Sequence, residues 1–298
     1  KGYFVVGVRL KDSFSRTDAM RAMHQANTIG SKPRKAILLG TSALVCLTLA
    51  APVMADDFVI TSGTTTNNGK TINGGDTVNV TGTIDTGTTA SEYGIETTGS
   101  NTITVSAGGI IKTGGVQGFG IYNVGTTNTN TISGSIATTG ETAIGIYNNG
   151  NKNINTVSGS ITTGTGSTAY GIYNYGTNNT TSVSGSITTK GASGHGIANV
   201  GNKNTTTVSG NIATSGGAGA TGSVGVQNGG NFNETTITST GSITANGKNG
   251  GGVASIGDNN IVKLYGNITL GIEDFSHAII SQGSFNKTTI FSAGTITS

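Results

Sequence analysis

Apolar positions recur along this chain at a fixed phase. Gly120-Ile121-Tyr122-Asn123-Val124-Gly125 returns as Gly145-Ile146-Tyr147-Asn148-Asn149-Gly150 and again as Gly171-Ile172-Tyr173-Asn174-Tyr175-Gly176. Weaker copies begin at Gly94, Gly196, Gly225, Gly252 and Ala278, so successive starts lie 26, 25, 26, 25, 29, 27 and 26 residues apart. A period of this size predicts a solenoid, in which each unit buries its apolar face only against its neighbours.

Each unit carries two stretches of period-two alternation. In Thr131-Ile132-Ser133-Gly134-Ser135-Ile136 that period predicts one strand, with residues 132, 134 and 136 inward and Ser133 and Ser135 outward. In Tyr170-Gly171-Ile172-Tyr173-Asn174 it turns Tyr170, Ile172 and Asn174 inward and leaves Gly171 and Tyr173 outside. The slot before the glycine holds Tyr93, Phe119, Ile144, Tyr170, His195, Val224 and His277, and is expected to be buried. Thr138-Thr139-Gly140 and its equivalents are expected on a third side.

Turn residues separate these stretches. The spacing Asn-x-Gly-x-x-Asn recurs, as in Asn123-Gly125-Asn128 and Asn174-Gly176-Asn179. Glycine supplies positive φ at a corner, and Asn tolerates the left-handed region. Stacked coil on coil, these Asn side chains are expected to form an amide ladder. Helical repeats need i, i+3, i+4 stripes, and leucine-rich repeats need a Leu-x-x-Leu-x-Leu frame; the sequence has neither. The prediction is an all-β, right-handed parallel β-helix. Ile slots at 84, 110, 136, 161, 187, 212, 243, 268 and 296 give about nine coils with a period near 26 residues. At about 4.8 Å per coil the rod is roughly 40 Å long. The slots widen to 31 and 28 residues at 212–243 and 268–296, which marks insertions such as residues 213–224.

Composition changes the picture only at the N-terminus. Glycine accounts for 51 of the 298 residues and there is no Trp, a bias that by itself suits a disordered polar tract. The fixed phase of Ile and Val argues against that. Residues 1–55 carry eight Lys/Arg against two Asp/Glu; residues 56–298 carry eight Lys against eleven Asp/Glu, a net −3, with no Arg. That balance gives no footprint for nucleic acid. Ser31-Lys32-Pro33-Arg34-Lys35 reads as a basic n-region, Ala36 to Ala50 as an apolar h-region, and Pro52-Val53-Met54-Ala55 as a small-residue cleavage site. Residues 20–55 are therefore expected to be a signal peptide cut between Ala55 and Asp56. Met20 and Met23 are candidate starts that would leave residues 1–19 untranslated. The one Cys, Cys46, lies in this leader, so a mature chain needs no disulfide.

Asn73-Gly74-Gly75-Asp76-Thr77-Val78-Asn79-Val80-Thr81-Gly82-Thr83-Ile84, with the Ser-Gly-Ser-Ile and Gly-Ile-Tyr-Asn units after it, resembles the passenger domains of Gram-negative autotransporters. The resemblance covers residues 56–298. It implies export through the inner membrane, a translocator barrel in the outer membrane as partner, and a place at the cell surface. Such proteins end in a membrane β-barrel of alternating strands, which residues 56–298 do not contain. The passenger is thus expected to be truncated, or exported by another route.

Candidate chemistry is sparse. Acids such as Asp76, Asp85, Glu141 and Asp258 are scattered, and the Gly-Gly-x-Gly-x-Asp calcium repeat is missing, so no metal or other cofactor is expected. His195 and His277 both occupy the apolar slot and read as core histidines; a Ser, His, Asp arrangement is not evident. Tyr122, Tyr147 and Tyr173 share the outward slot after Ile, with Tyr175 nearby. They form either a surface ladder or an aromatic strip for sugar or protein contact. Later coils place Ala198, Gln227, Ala254 and Ile280 there, so the strip is expected to stop after three coils. The expectation is a non-enzymatic surface passenger, adhesin-like or a structural stalk, whose partner is a host glycan or protein surface. The rivals are a secreted β-helical glycan-active enzyme and a Thr-array surface binder.

Overall fold

In a computed structural model, residues 57–216, 222–247, 249–271 and 276–298 are described. The leader, the Ala55–Asp56 junction and residues 217–221 of the expected insertion lie outside them. The described chain forms a parallel β-solenoid with no helix among the described residues. Each coil contributes one short strand to each of three sheets. One coil runs Ile121–Val124, Thr129–Ile132 and Ser135–Thr138, and its successor runs Ile146–Asn149, Ile154–Val157 and Ser160–Thr163. Two sheets have ten strands and the third has nine. Every strand pairs in parallel with its equivalent one coil away, in strict register: Ile121, Ile146, Ile172, Ile197 and Val226 stand above one another.

The inner columns carry the core. Ile132, Val157, Val183 and Val208 line one sheet, Ile136, Ile161, Ile187 and Ile212 the second, and Ile121 to Val226 the third, all essentially solvent-free. β-branched side chains suit these pleated, fully packed columns. In the second coil the inward residue is Ile111, which pairs with Ile84 and Ile136, while Ile110 is half-exposed. The slot is one residue later than the spacing suggested.

Three expectations about faces are corrected. The Thr-Ile-Ser-Gly-Ser-Ile stretch is two strands, Thr129–Ile132 and Ser135–Thr138, with a corner at Ser133–Gly134. Ile132 and Ile136 do face inward, but Gly134 packs on backbone: a Cβ there would meet the Gly109 carbonyl oxygen. The third side is therefore the Thr129–Ile132 type of strand, and Thr138 ends the second. In the Gly-Ile-Tyr-Asn unit, Gly171 faces inward with Ile172. A Cβ on Gly171 would collide with Cγ2 of Ile187 on the facing sheet and come within 2.5 Å of the Gly196 carbonyl oxygen. The strand begins only at Ile172, so alternation cannot be extrapolated back across the bend at Gly171. Consequently the slot before the glycine lies on the outer face: Tyr93, Phe119 and Tyr170 are half-buried against the outer tyrosines and His277 is exposed, while Ile144, His195 and Val224 are buried as expected.

Polar residues complete the interior. Asn123, Asn148, Asn174, Asn199 and Asn228 are buried on the same face as the Ile column. Each amide donates to the next carbonyl oxygen: Asn123 Nδ2 to Asn148 Oδ1 at 2.6 Å, then 2.7, 2.8 and 2.8 Å along the row. A second row at the corner, Asn128, Asn153, Asn179, Asn204 and Asn233, accepts backbone N–H groups at 2.8–2.9 Å. The expected ladder is thus doubled, one row amide to amide and the other amide to backbone. Burial is tolerated because every amide oxygen of the two rows accepts a hydrogen bond from the neighbouring coil, although Nδ2 of Asn179 and of Asn233 is buried without a partner.

Candidate binding surface

The outer face of the third sheet carries an aromatic band. Tyr122, Tyr147 and Tyr173 are direct cross-strand neighbours, with ring centroids 5.2 Å apart at both steps. Tyr147 and Tyr173 stack within 11° of parallel. The slot residues fill the flank. Tyr93 stacks on Phe119 at 5.2 Å, Phe119 on Tyr147 at 5.4 Å, and Tyr170 on both Tyr173 and His195 at 5.2 and 5.1 Å. The band is therefore two columns wide and spans five coils, from Tyr93 to His195, rather than three. The outward column itself ends after Tyr173 at Ala198, as the sequence suggested, and is bounded before Tyr122 by Glu96. Tyr175 lies on the same strand, 52% exposed.

Tyr122 is tilted by 46–61° to its ring neighbours, but the other pairs are near-parallel, within 16°, and at this spacing cover much of one another's faces. What the band offers outward is mainly ring edges and phenol hydroxyls. Burial first, and then the neighbouring phenols, raise the pKa of Tyr147 and Tyr173 above the ordinary tyrosine value. Burial, then Tyr122 and Glu96, do the same for Tyr93. The hydroxyls accordingly stay protonated at neutral pH and form a row able to donate and accept hydrogen bonds.

At the first end of the band a notch of about 160 Å³ opens beside Tyr93, walled by Glu92, Glu96, Lys70 and Thr71. The carboxylates are held in place: Glu92 Oε1 accepts the Gly69 N–H at 3.2 Å and Glu96 Oε2 accepts the Thr71 hydroxyl at 3.3 Å.

His195 closes the other end. It is only 8% exposed, and its Nδ1 accepts the Val224 N–H at 3.0 Å. Burial lowers its pKa to about 4. Because the folded value lies below the ordinary value near 6.5, the unfolded chain takes up a proton first as pH falls. Stability from this residue is thus full above about pH 6.5, declines from there to about pH 4 by about 3 kcal/mol, and is level below. Urea melts at pH 7 and pH 4.5 should show that slope, and His195→Gln should flatten it. An unchanged slope in the variant would assign it to other groups.

The scattered acids serve backbone. Asp76 Oδ2 accepts the Asn73 N–H, Asp85 Oδ1 the Gly87 N–H and Asp258 Oδ1 the Ser284 N–H, while Glu141 Oε1 accepts the Ser167 hydroxyl. Among the described residues no three of His, Cys, Asp or Glu gather as a metal site.

Sequence reading placed Tyr122, Tyr147, Tyr173 and Tyr175 on the outside and His195 in a buried slot, as the structure has them, but it also assigned the half-buried Tyr93, Phe119 and Tyr170 to the core. The signal that could have rescued them is the glycine between slot and strand, a residue that marks a bend. Comparisons of the chain with known protein families, with curated proteins and with solved structures gave no match.

Proposed function

We propose that this chain is a non-enzymatic exported surface protein, the β-helical passenger of an autotransporter, with an adhesin-like or stalk role toward a host glycan or protein surface. The parallel solenoid and its repeats are common ground for that reading. Residues 31–55 supply the signal for export through the inner membrane, and an outer-membrane barrel would serve as translocator. The observation that carries the adhesive part is the aromatic band. A stalk needs only inward packing, yet here seven ring side chains gather on one outer face over five coils. Ring edges and phenol hydroxyls suit a polar, hydroxyl-rich or peptide surface better than a purely apolar one.

Changing Tyr122, Tyr147 and Tyr173 together to Ser is expected to abolish adherence of expressing cells to glycan-coated or host-protein-coated surfaces. Stability should fall by only about 0.2–1 kcal/mol per lost ring pair. Adherence that survives alongside a lower melting temperature would reduce the band to packing.

A further inference from the structure

The corner between the third and first sheets has a feature unrelated to the aromatic band. In seven successive coils one residue there is held at a left-handed φ of 57–61°: Thr127, Lys152, Asn178, Lys203, Phe232, Asn259 and Phe285. Each stacks on the next coil, as when the Phe232 N–H donates to the Asp258 carbonyl oxygen at 3.0 Å. Left-handed backbone favours Gly or Asn, because a bulkier Cβ substituent crowds the following carbonyl. Two positions hold Asn. Lys152 and Lys203 hold exposed cations, and Phe232 and Phe285 hold rings that are 55% and 86% exposed. A bulky apolar side chain kept in an unfavourable conformation and left in water serves neither local geometry nor the core.

The surroundings extend the pattern. Ile154, Tyr175 and Ile256 flank the same corner and are also exposed, so five large apolar side chains share one edge. Exposed Lys287 begins the strand that leaves the corner in the last coil. Of the acids on this edge among the described residues, Glu234 is paired with Lys263 at 2.6 Å and Asp258 is bound to the Ser284 N–H. Three exposed lysines against one unpaired acid make the edge cationic, whereas residues 56–298 as a whole are net −3. The edge is a convex corner with its tips in line at the coil spacing, Phe232 and Phe285 being two coils apart. A convex row of aromatic tips among lysines fits a deformable apolar layer under an anionic surface better than the concave pocket of a folded partner.

We infer that this corner is a docking edge for an anionic lipid surface, with Phe232 and Phe285 entering the interface and Lys152, Lys203 and Lys287 facing the headgroups. The test is co-sedimentation of the full chain with phosphatidylcholine vesicles, with and without phosphatidylglycerol. The chain should bind the anionic vesicles more strongly, and added salt should weaken that binding. Phe232→Asn with Phe285→Asn should cut the bound fraction at least about tenfold. Yet their melting temperature should hold or rise, since Asn suits the left-handed backbone. Lys152→Gln with Lys203→Gln should remove much of the preference for anionic vesicles. The apolar residues 36–50 give every variant the same background. Tyr122→Ser, in the aromatic band, should leave vesicle binding unchanged, which separates this edge from the adhesive reading. Binding that ignores the phenylalanine changes, or equal binding to neutral and anionic vesicles, would overturn the inference. So would no binding to either vesicle, which would mark the edge as a protein contact.

Discussion

Ile172→Asp is expected to open its coil. Ile172 is solvent-free, its N–H donates to the Gly196 carbonyl oxygen at 3.0 Å, and its side chain stands between Ile146 and Ile197. A carboxylate there finds no cation and no donor in a column of Ile. Burying it unpaired costs several kcal/mol, or the coil opens to admit water. In a solenoid the loss spreads through the two interfaces of the damaged coil, because each unit is stabilised by its neighbours. A fall in melting temperature of about 10 °C or more is expected for a domain of this size. Ser186→Asp, outward on the strand Ser186–Thr189 and half-exposed, should change stability by no more than about 0.5 kcal/mol. Thermal melts of the two variants settle the assignment of faces, and equal losses would reverse it.

The second large effect concerns a buried amide. Asn174 makes four side-chain hydrogen bonds. Its Oδ1 accepts from Asn148 Nδ2 at 2.7 Å and Asn155 Nδ2 at 3.2 Å, and its Nδ2 donates to Asn199 Oδ1 at 2.8 Å and Thr181 Oγ1 at 3.1 Å. Asn174→Leu keeps the volume and gains hydrophobicity, so a purely apolar view of the core predicts stabilisation. The ladder predicts the reverse. Asn148 and Asn155 retain other acceptors, Asn155 Oδ1 and Thr181 Oγ1 respectively, but Asn199 Oδ1 loses its donor. Orphaned buried groups cost about 1–3 kcal/mol each, so a loss of about 3 kcal/mol is expected. Asn174→Thr should lose less, because Thr97 occupies the equivalent position at the start of the row and bonds Asn123 Oδ1 at 2.9 Å. Urea denaturation of the two variants decides it; an Asn174→Leu protein as stable as the parent would make the ladder incidental.

These two residues show how far the sequence reaches. Ile172 and Asn174 could be placed inside from the sequence because both sit within one unbroken strand, where period two holds. The same reasoning misplaced Tyr170, two residues before Ile172, because the inward-facing Gly171 resets the phase at a bend. It misplaced Gly134 for the same reason, at a corner between two strands that read as one.

The period of about 26 residues, the inward Ile columns and the Gly and Asn at corners were enough by themselves to determine a parallel β-solenoid. Each is a local repeated preference, and repetition multiplies a weak signal. Only the tertiary structure decided where the corners cut the strands, which way each amide row runs, and how wide the aromatic band is. It also decided that Lys152, Lys203, Phe232 and Phe285 share one edge. Those features arise between residues 25 to 29 apart, brought side by side by the stacking of coils. Their positions depend on the phase at each corner, which period-two alternation does not carry across.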